Sequence, residues 1–288
     1  MWSDELLRQF DPNLVWASRF VCNNAYDGVI REMGDQVVIN GLTRPTVGAY
    51  NATTGMTVEN LETVAQNLRI SQADYVAFYV TDIDRHQTAG VLSEPATQET
   101  IAGIAFSADT FVSGVISASA STIPAIDVSG LTTSAAKGEA LLEGIFDMME
   151  DLDTNKVPGG RYVIVSPKVK RHLLRASDIA NASILGQGDA TANGVVASLA
   201  GFTVLSTTAM PTGVDIFAGH PAFTTFASQF TGFRTQPSEK FRADQIDCLH
   251  LYGARVLSFP GGAQPANADA VVLNSEGLIK TSVVWQTP

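Results

Sequence analysis

The spacing of hydrophobic residues changes several times along the chain, and each change predicts a different element. Residues 75–80, YVAFYV, are continuously apolar, which predicts a strand buried on both faces. From about 94 to 117, apolar residues recur every three or four positions, which predicts a long helix. The same spacing over 133–152 predicts a second helix, with Thr133 or Ser134 as its cap.

Shorter apolar runs fill the second half of the chain. Residues 161–166, RYVIVS, predict another buried strand, and Pro167 is placed to open a short helix. A glycine-rich stretch around 186–194 precedes short strands in GFTVLST, VDIFAGH and CLHLYGARVLSF. A last strand pair is predicted around 271–273 and 279–285. Helices and strands mix without repeats or βαβ regularity, so the predicted fold class is α+β.

The first 73 residues predict extensions rather than a core. Residues 1–33 have irregularly spaced apolar positions, so we expect little for them to pack against within their own domain. They would form a tail or lie across a neighbour. Residues 34–73 predict a long hairpin, with a small polar tip at 51–55 and an alternating return strand over 64–70. Loops this long are usually functional or packed elsewhere.

Composition and charge narrow the possible functions. Charged residues make up 16% of the chain, below the roughly 25% typical of soluble domains, which fits a surface hidden against other subunits or one large core. The net charge is −11, and residues 1–144 carry −10 of it. The absence of a basic stripe argues against high-affinity DNA binding. No run approaches the ~18 apolar residues of a membrane helix, and the start lacks signal-peptide features.

One run resembles the opening of a calcium-binding loop. Asp151, Asp153 and Asn155 have the right spacing. Lys156 and Tyr162 occupy the positions that need glycine and glutamate, so the calcium pattern fails. We interpret the run as a helix C-terminus that enters a turn.

Two further constellations have plain structural interpretations. Asp82, Asp84 and His86 lie at period two and could hold a divalent ion, but a solvated exit from a strand is the favoured interpretation. Ser134 and Lys137 match the first motif of penicillin-recognising enzymes. The partner motifs of those enzymes are missing, so a helix start explains the pair.

The remaining candidates predict no chemistry. Gly186 and Gly188 lack the third glycine of a dinucleotide-binding loop. Cys22 and Cys248 could pair, although two reduced, partly buried thiols are favoured. The four histidines are dispersed without ligand spacing, at positions 86, 172, 220 and 250. We therefore predict no catalytic, cofactor-binding or metal-binding residues, no cofactor, and no enzyme.

Collinear segments of the chain resemble one known family. Residues 34–84, GDQVVINGLTRPTVGAY to LRISQADYVAFYVTDID, resemble the extended loop and following strand of tailed-bacteriophage major capsid proteins. RYVIVSPKVKRHLLRAS and GVVASLAGFTVLSTTAMP resemble the axial-domain strand and helix and the glycine-phenylalanine strand of these proteins. FAGHPAFTTFASQF and LYGARVLSFP resemble their closing strands. The similarity covers nearly the whole chain and is strongest over 34–84 and 160–260.

The resemblance implies the Hong Kong ninety-seven-like fold and a division of the chain. The expected parts are an N-terminal arm over 1–33, an extended E-loop over 34–73, a peripheral domain with a long spine helix over 74–130, a mixed α/β axial domain over 131–250, and closing strands with a C-terminal segment over 251–288.

The same resemblance implies a structural role. We expect self-assembly into an icosahedral shell of hexameric and pentameric capsomers, which encloses the double-stranded DNA of a tailed phage. The expected partners are portal, scaffolding and cement proteins, with no membrane. Assembly would occur in the host cytoplasm, and the product would be the virion. A separate protein or a removed prodomain would supply the scaffolding function, or assembly would proceed without scaffolding.

Two features sharpen this expectation. Some relatives join subunits by a lysine–asparagine isopeptide bond from the E-loop, but no lysine precedes Lys137 here. N-terminal arm and E-loop would therefore interlock without covalent bonds.

The acidic bias over 70–155 includes the expected spine helix, which the family places toward the interior. An acidic lining would confine DNA without binding it.

Three other classes of protein fit parts of the pattern. An encapsulin-like nanocompartment resembles the same fold but stores enzyme cargo. A soluble enzyme with an unrecognised site is a second alternative. A tail-tube or decoration protein fits self-association but not the long helix.

Overall fold

The computed structural model contains three helices and twelve strands within the part of the chain that it describes, which is residues 14–25, 34–42, 48–53, 55, 56, 58, 60, 63–81, 93–176, 199, 201–238, 243–257 and 277–285. The helices are α1 (Ser93–Ser119), α2 (Ser134–Thr154) and α3 (Pro167–Leu173). The strands are β1 (Gln36–Leu42), β2 (Thr63–Arg69), β3 (Gln72–Thr81), β4 (Ser121–Thr122), β5 (Ile126–Asp127), β6 (Tyr162–Val165), β7 (Thr203–Ser206), β8 (Ile216–Gly219), β9 (Thr224–Pro237), β10 (Ala243–Val256), β11 (Leu278–Thr281) and β12 (Val283–Val284).

The helices confirm the predicted α+β class and begin where the sequence suggests. Thr133 is the N-cap of α2, because its hydroxyl accepts the Ala136 N–H at 3.2 Å. Pro167 occupies the first turn of α3, where its missing N–H costs no helical hydrogen bond. The long helix α1 extends slightly beyond the predicted range of 94–117.

A five-stranded sheet with the order β4-β11-β8-β6-β7 separates two hydrophobic cores. All four residues of β6 are buried, as predicted for this strand. Tyr162 and Ile164 face the core that contains α1, whereas Val163 and Val165 face the core built by α2 and α3. The period-two alternation of a strand thus supplies both cores at once.

The prediction of a fully buried strand at 75–80 is wrong. Strand β3 is the edge of a three-stranded sheet with the order β3-β10-β9. Val76 packs against the core on one face, but Tyr75 is 75% exposed and Tyr79 is 53% exposed on the other. A continuous apolar run is compatible with two covered faces, yet within this chain only one face of β3 is covered.

The N-terminal segment, residues 14–25, also differs from expectation. Trp16, Ala17 and Val21 are fully buried in the same core as α1, and the Trp16 ring lies edge-on to Phe217 at 5.2 Å between centroids. The expectation of an arm with little to pack against in its own domain is therefore wrong for these residues. Their irregular apolar spacing reflects turns rather than a missing core.

The predicted hairpin is present as an antiparallel pair of β1 and β2, with Gln36 opposite Arg69. Its base has a small core of its own. The side chains of this core come from the hairpin and from β9, β10 and the residue after β10: Val37, Ile39, Leu68, Ile70, Ala227, Leu251 and Leu257. Gly253 of β10 allows the close approach, since an added Cβ would meet the Arg69 carbonyl oxygen at 2.4 Å.

The sheet β3-β10-β9 crosses the predicted divisions of the chain. Strand β10 runs through the predicted boundary between residues 250 and 251, and it pairs with β3 over Gln72–Thr81. The glycine-rich stretch around 186–194 and the predicted strand at 271–273 lie outside the described residues.

Helix α1 is long and apolar enough to cross a membrane by composition, with a mean hydropathy of 1.5 over Glu99–Ser119. The core helix of a folded domain meets the same criterion. Ile101, Ala108 and Ile116 are fully buried against the protein's own core, which is the behaviour of such a core helix.

Candidate assembly surfaces

The calcium-like run lies at the end of α2, as the helix-terminus interpretation predicts. The Asp153 carboxylate pairs with the Arg161 guanidinium at 2.7 Å. Asn155 is the C-cap, and its backbone N–H donates to the carbonyl of Asp151 at 3.0 Å. Lys156 adopts a positive φ of 57°, which ends the helix.

The other motif candidates do not converge on a site. Ser134 begins α2, and its hydroxyl accepts a long hydrogen bond of 3.4 Å from Arg175. Lys137 lies one turn further along the same helix. Two candidates lie outside the described residues. They are the incomplete dinucleotide-binding pattern of Gly186 and Gly188, and the group of Asp82, Asp84 and His86.

The three histidines that the structure describes occupy separate places. His172 is buried beside the Trp285 ring, and His220 caps the short 3₁₀ turn Pro221–Phe223 through its ring nitrogen. His250 is stacked against Phe230, with 4.2 Å between ring centroids. Burial lowers the pKa of His250 to about 4, so it is neutral at physiological pH.

Within the residues described, no group of three or more His, Cys, Asp or Glu side chains could hold a metal ion. Cys22 and Cys248 are both buried and are not bonded to each other. The Cys22 thiol lies 3.1 Å from the Trp16 carbonyl oxygen. Burial raises the pKa of both thiols, which keeps them protonated and unreactive.

Sequence reasoning missed a buried carboxylate that fastens the N-terminal segment. Asp109 of α1 accepts the backbone N–H groups of Val15 at 2.8 Å and Ala17 at 3.0 Å. Burial raises the pKa of Asp109, and the backbone hydrogen bonds act in the opposite direction. An acidic residue in the middle of an otherwise apolar helix face was the available signal.

A second polar contact, partly buried, joins α1 to the edge strand. The Asp74 carboxylate accepts hydrogen bonds from the Ser107 hydroxyl at 2.6 Å and the Tyr252 hydroxyl at 2.7 Å. Burial raises the pKa of Tyr252 to about 12, so this phenol remains a donor. The contact fixes α1 over the inner face of β3-β10-β9.

The tip of the hairpin exposes large apolar side chains. Tyr50 is 72% exposed, Met56 is 79% exposed and Val58 is 88% exposed. A tight turn holds the tip together, because the Gly55 N–H donates to the Asn51 carbonyl at 2.9 Å. Single exposed apolar residues are ordinary, but three within nine positions at the end of a projection form a candidate contact surface.

A second exposed apolar surface lies on the outer face of β3 and β10. Leu249 is directly opposite Tyr75 in the register, and both side chains are exposed on the same face. Tyr79 continues this face along β3. Tyrosine has an apolar ring and a polar tip, and it is enriched where proteins contact one another.

Comparisons with known proteins identify the family of this chain. A family model described as "Phage capsid protein" matches residues 63–266, which is well over half of the chain. The chain belongs to the phage capsid protein family. No curated protein sequence matches it.

Solved structures of similar fold support the family at the level of architecture. A chain from Mycobacterium phage Che8 matches with a TM-score of 0.68 and 22% identity, over 93% of this chain and 90% of that one. The capsid structure of cyanophage P-SCSP1u gives a TM-score of 0.64 at 13% identity, over 89% of this chain and 85% of that one. The virus-like particle from Pyrococcus furiosus gives a TM-score of 0.57 at 12% identity, over 97% of this chain and 96% of that one.

The expected Hong Kong ninety-seven-like architecture is therefore confirmed. This phage capsid protein has a structural role as a subunit of an oligomeric capsid, and it is located in the virion.

Proposed function

We propose that this phage capsid protein is the major capsid protein of a tailed phage, which self-assembles into an icosahedral shell of hexameric and pentameric capsomers around double-stranded DNA. The subunits interlock without covalent bonds. Assembly takes place in the host cytoplasm with portal and scaffolding proteins and, in some shells, cement proteins. The protein catalyses no reaction.

The observation that carries this proposal is the hairpin with an anchored base and an apolar tip. Leu68 and Ile70 at the base are fully buried, whereas Tyr50, Met56 and Val58 at the tip are exposed. Burying each such side chain is worth about 1.5–3 kcal/mol. A tip that lies on a neighbouring subunit would recover this free energy, which a lone subunit cannot.

The burial of residues 14–25 supports interlocking through the hairpin. Residues 14–25 are packed into the protein's own core, so they are not free to lie across a neighbour. We therefore propose the predicted E-loop, residues 34–73, as the main interlocking part, while the rest of the predicted arm, 1–13 and 26–33, lies outside the described residues. Its partner surface on the neighbour would be a second apolar face such as that formed by Tyr75, Tyr79 and Leu249.

The acidic residues over 70–155 were expected to line the shell interior, but they are not all at the surface. Asp109 of α1 is buried and holds backbone N–H groups, so it contributes no charge to a surface. The exposed acids of α2 carry much of the remaining bias. The DNA lies within the shell by confinement in this proposal, with no binding site for it.

The direct test is electron microscopy of the purified full chain. We expect uniform closed shells from the wild type. The triple variant Tyr50→Ser, Met56→Ser, Val58→Ser should fold with an unchanged melting temperature yet form no shells, because its tip no longer buries apolar area. Phe20→Ser removes an exposed apolar side chain outside the hairpin and should still assemble. Shells from the triple variant would exclude the hairpin as the interlock.

Denaturing gels test the proposal that the subunits interlock without covalent bonds. Boiled particles should give one band at 30.5 kDa with or without reductant. A ladder that survives reductant would contradict it.

An encapsulin-like shell is the second candidate. It would share the fold, and the match to the virus-like particle from Pyrococcus furiosus, at 12% identity, shows the fold alone. Particles from the native source that contain protein cargo instead of DNA would support it over the phage shell.

A further inference from the structure

A groove lies between α2 and the segment that contains β5. Its volume is about 480 Å³. The floor is apolar, formed by Ile123, Ile126 and Ala140, and Gly144 lets the Ile126 side chain approach the helix. A groove with an apolar floor at the protein surface is suited to a ligand with an apolar stem.

One wall of the groove is acidic. Glu143, Asp147, Glu150 and Asp151 line it, and all four side chains are exposed. They repeat every three or four residues, so they share one face of α2. Between residues 138 and 155 the helix has no basic residue. Neighbouring like charges weaken an isolated helix, so this face gains from cations supplied by another molecule.

An aromatic side chain stands within this acidic face. Phe146 is three residues from Glu143 and four from Glu150, and it is 38% exposed. An exposed ring among carboxylates attracts the guanidinium of arginine, which pairs with the acids and stacks on the ring.

The same chain presents a matching basic surface on α3 and the two residues that follow it, which together are called the α3 surface. The segment 168–175 contains Lys168, Lys170, Arg171 and Arg175 and no acid. Arg171 and Arg175 are exposed. Burial lowers the pKa of His172, and the positive charges of Arg171 and Lys137 act in the same direction.

The groove and the basic surface lie on different sides of α2. Gly138 contacts the α3 side, where an added Cβ would meet the His172 carbonyl oxygen, and Gly144 faces the groove. At 3.6 residues per turn these two glycines are about 120° apart around the helix axis. A contact between the two surfaces can therefore join copies head to tail, and such heterologous contacts generate rings where the rotation closes.

We infer that the acidic groove of α2, formed by Glu143, Asp147, Glu150 and Asp151, receives the α3 surface, Arg171 and Arg175, of a second copy of this chain. The inference rests on the proposed function, because it assigns one contact within the assembled capsid. It also covers the acidic face of α2, which then does not line the shell interior.

Charge reversal tests the pairing. The groove variant is Glu143→Lys with Asp147→Lys, and the α3 variant is Arg171→Glu with Arg175→Glu. Each alone should reduce assembled particles by at least about tenfold, because like charges then face one another across the contact. The four substitutions combined in one chain should restore assembly. An equal mixture of the two variants should form complexes in sedimentation velocity, because each variant supplies the charge that the other lacks.

Charge-retaining variants provide the matched control. Arg171→Lys with Arg175→Lys should assemble like the wild type, and all variants should share its melting temperature. Raising sodium chloride to about 1 M should weaken the pairing in the mixture, because the Debye length falls to about 3 Å.

Three outcomes would overturn the inference. Either reversal variant could assemble as well as the wild type. The combined variant could fold and still fail to assemble. The wild type could instead depend on magnesium or calcium that binds the groove, with no rescue by the α3 reversal. If the wild type forms no shells but the two variants still associate when mixed, the proposed function fails and the pairing stands.

Discussion

The N-terminal segment and the hairpin have the same appearance in the sequence but opposite places in the fold. Both are poor in regular apolar patterns and both were expected to lie outside the core. Residues 14–25 are packed with Trp16 in the centre of the protein, whereas the hairpin keeps only its base there. The tip around Met56 extends apolar side chains into solvent.

The two segments differ in the contacts that their side chains make within the chain. Trp16 is a single large side chain that fills a space beside Phe217, and Asp109 satisfies the backbone next to it. The tip offers apolar area, and among the described residues its side chains stay exposed. A segment without periodicity can thus be a core element, and a segment with regular strands can be an extension.

The largest effect is expected for Trp16→Ala. This side chain is fully buried, so its removal should lower the free energy of unfolding by about 3–5 kcal/mol in denaturant titration. A change below about 0.5 kcal/mol would mean that the segment is an arm after all.

Leu68→Ala at the base of the hairpin should cost about 2–5 kcal/mol in the same titration, because Leu68 is fully buried with Leu251. Arg69→Ala, which changes the exposed neighbour, is the control and should have little effect. Equal effects of the two would show that the base is not packed on β10.

Asp109→Asn should cost about 1–3 kcal/mol, because the amide group cannot accept both backbone hydrogen bonds. It should also change the pH dependence. The folded protein holds the Asp109 proton more tightly than the unfolded chain, so this residue lowers stability as pH rises from about 3.9 through the raised pKa.

The Asn variant should lack that decline, and the difference between the two pH profiles isolates the carboxyl group. Parallel profiles from pH 3 to pH 8, roughly the range of ordinary carboxyl and histidine titration, would contradict a raised pKa for Asp109.

The smallest effect on stability is expected at the tip. Met56→Ser should change the free energy of unfolding by less than about 0.5 kcal/mol, because the side chain is exposed in the free subunit. A loss comparable with that of Leu68→Ala would show that the tip folds back on its own chain.

The sequence predicted elements whose pattern is local. The spacing of apolar residues predicted α1 and α2, and the capping residue Thr133 and the turn around Gly55 follow from backbone chemistry. Strand β6 was also predicted as buried, because an unbroken apolar run between turns is typical of a strand with two covered faces.

The features that the sequence could not predict depend on contacts with residues far away along the chain. The run YVAFYV has the same composition whether one face or two are covered, and only the pairing with β10 places it at an edge. The burial of Trp16 depends on Phe217, which is about 200 residues away. The role of Asp109 likewise required the path of the N-terminal segment.

Surfaces that meet other subunits are the hardest to predict from one chain. Exposed residues such as Tyr75 and Val58 resemble core residues in the sequence, although they are exposed in the single chain. The family resemblance supplied the expectation of assembly, and the structure supplied candidate contact residues.

A cryo-electron microscopy map of the assembled shell tests the central claim most directly. We predict that the tip, residues 48–58, lies on a neighbouring subunit, while residues 14–25 remain in their own subunit with Trp16 beside Phe217. A map in which the tip is surrounded by solvent, or in which residues 14–25 cross into a neighbour, would contradict this account.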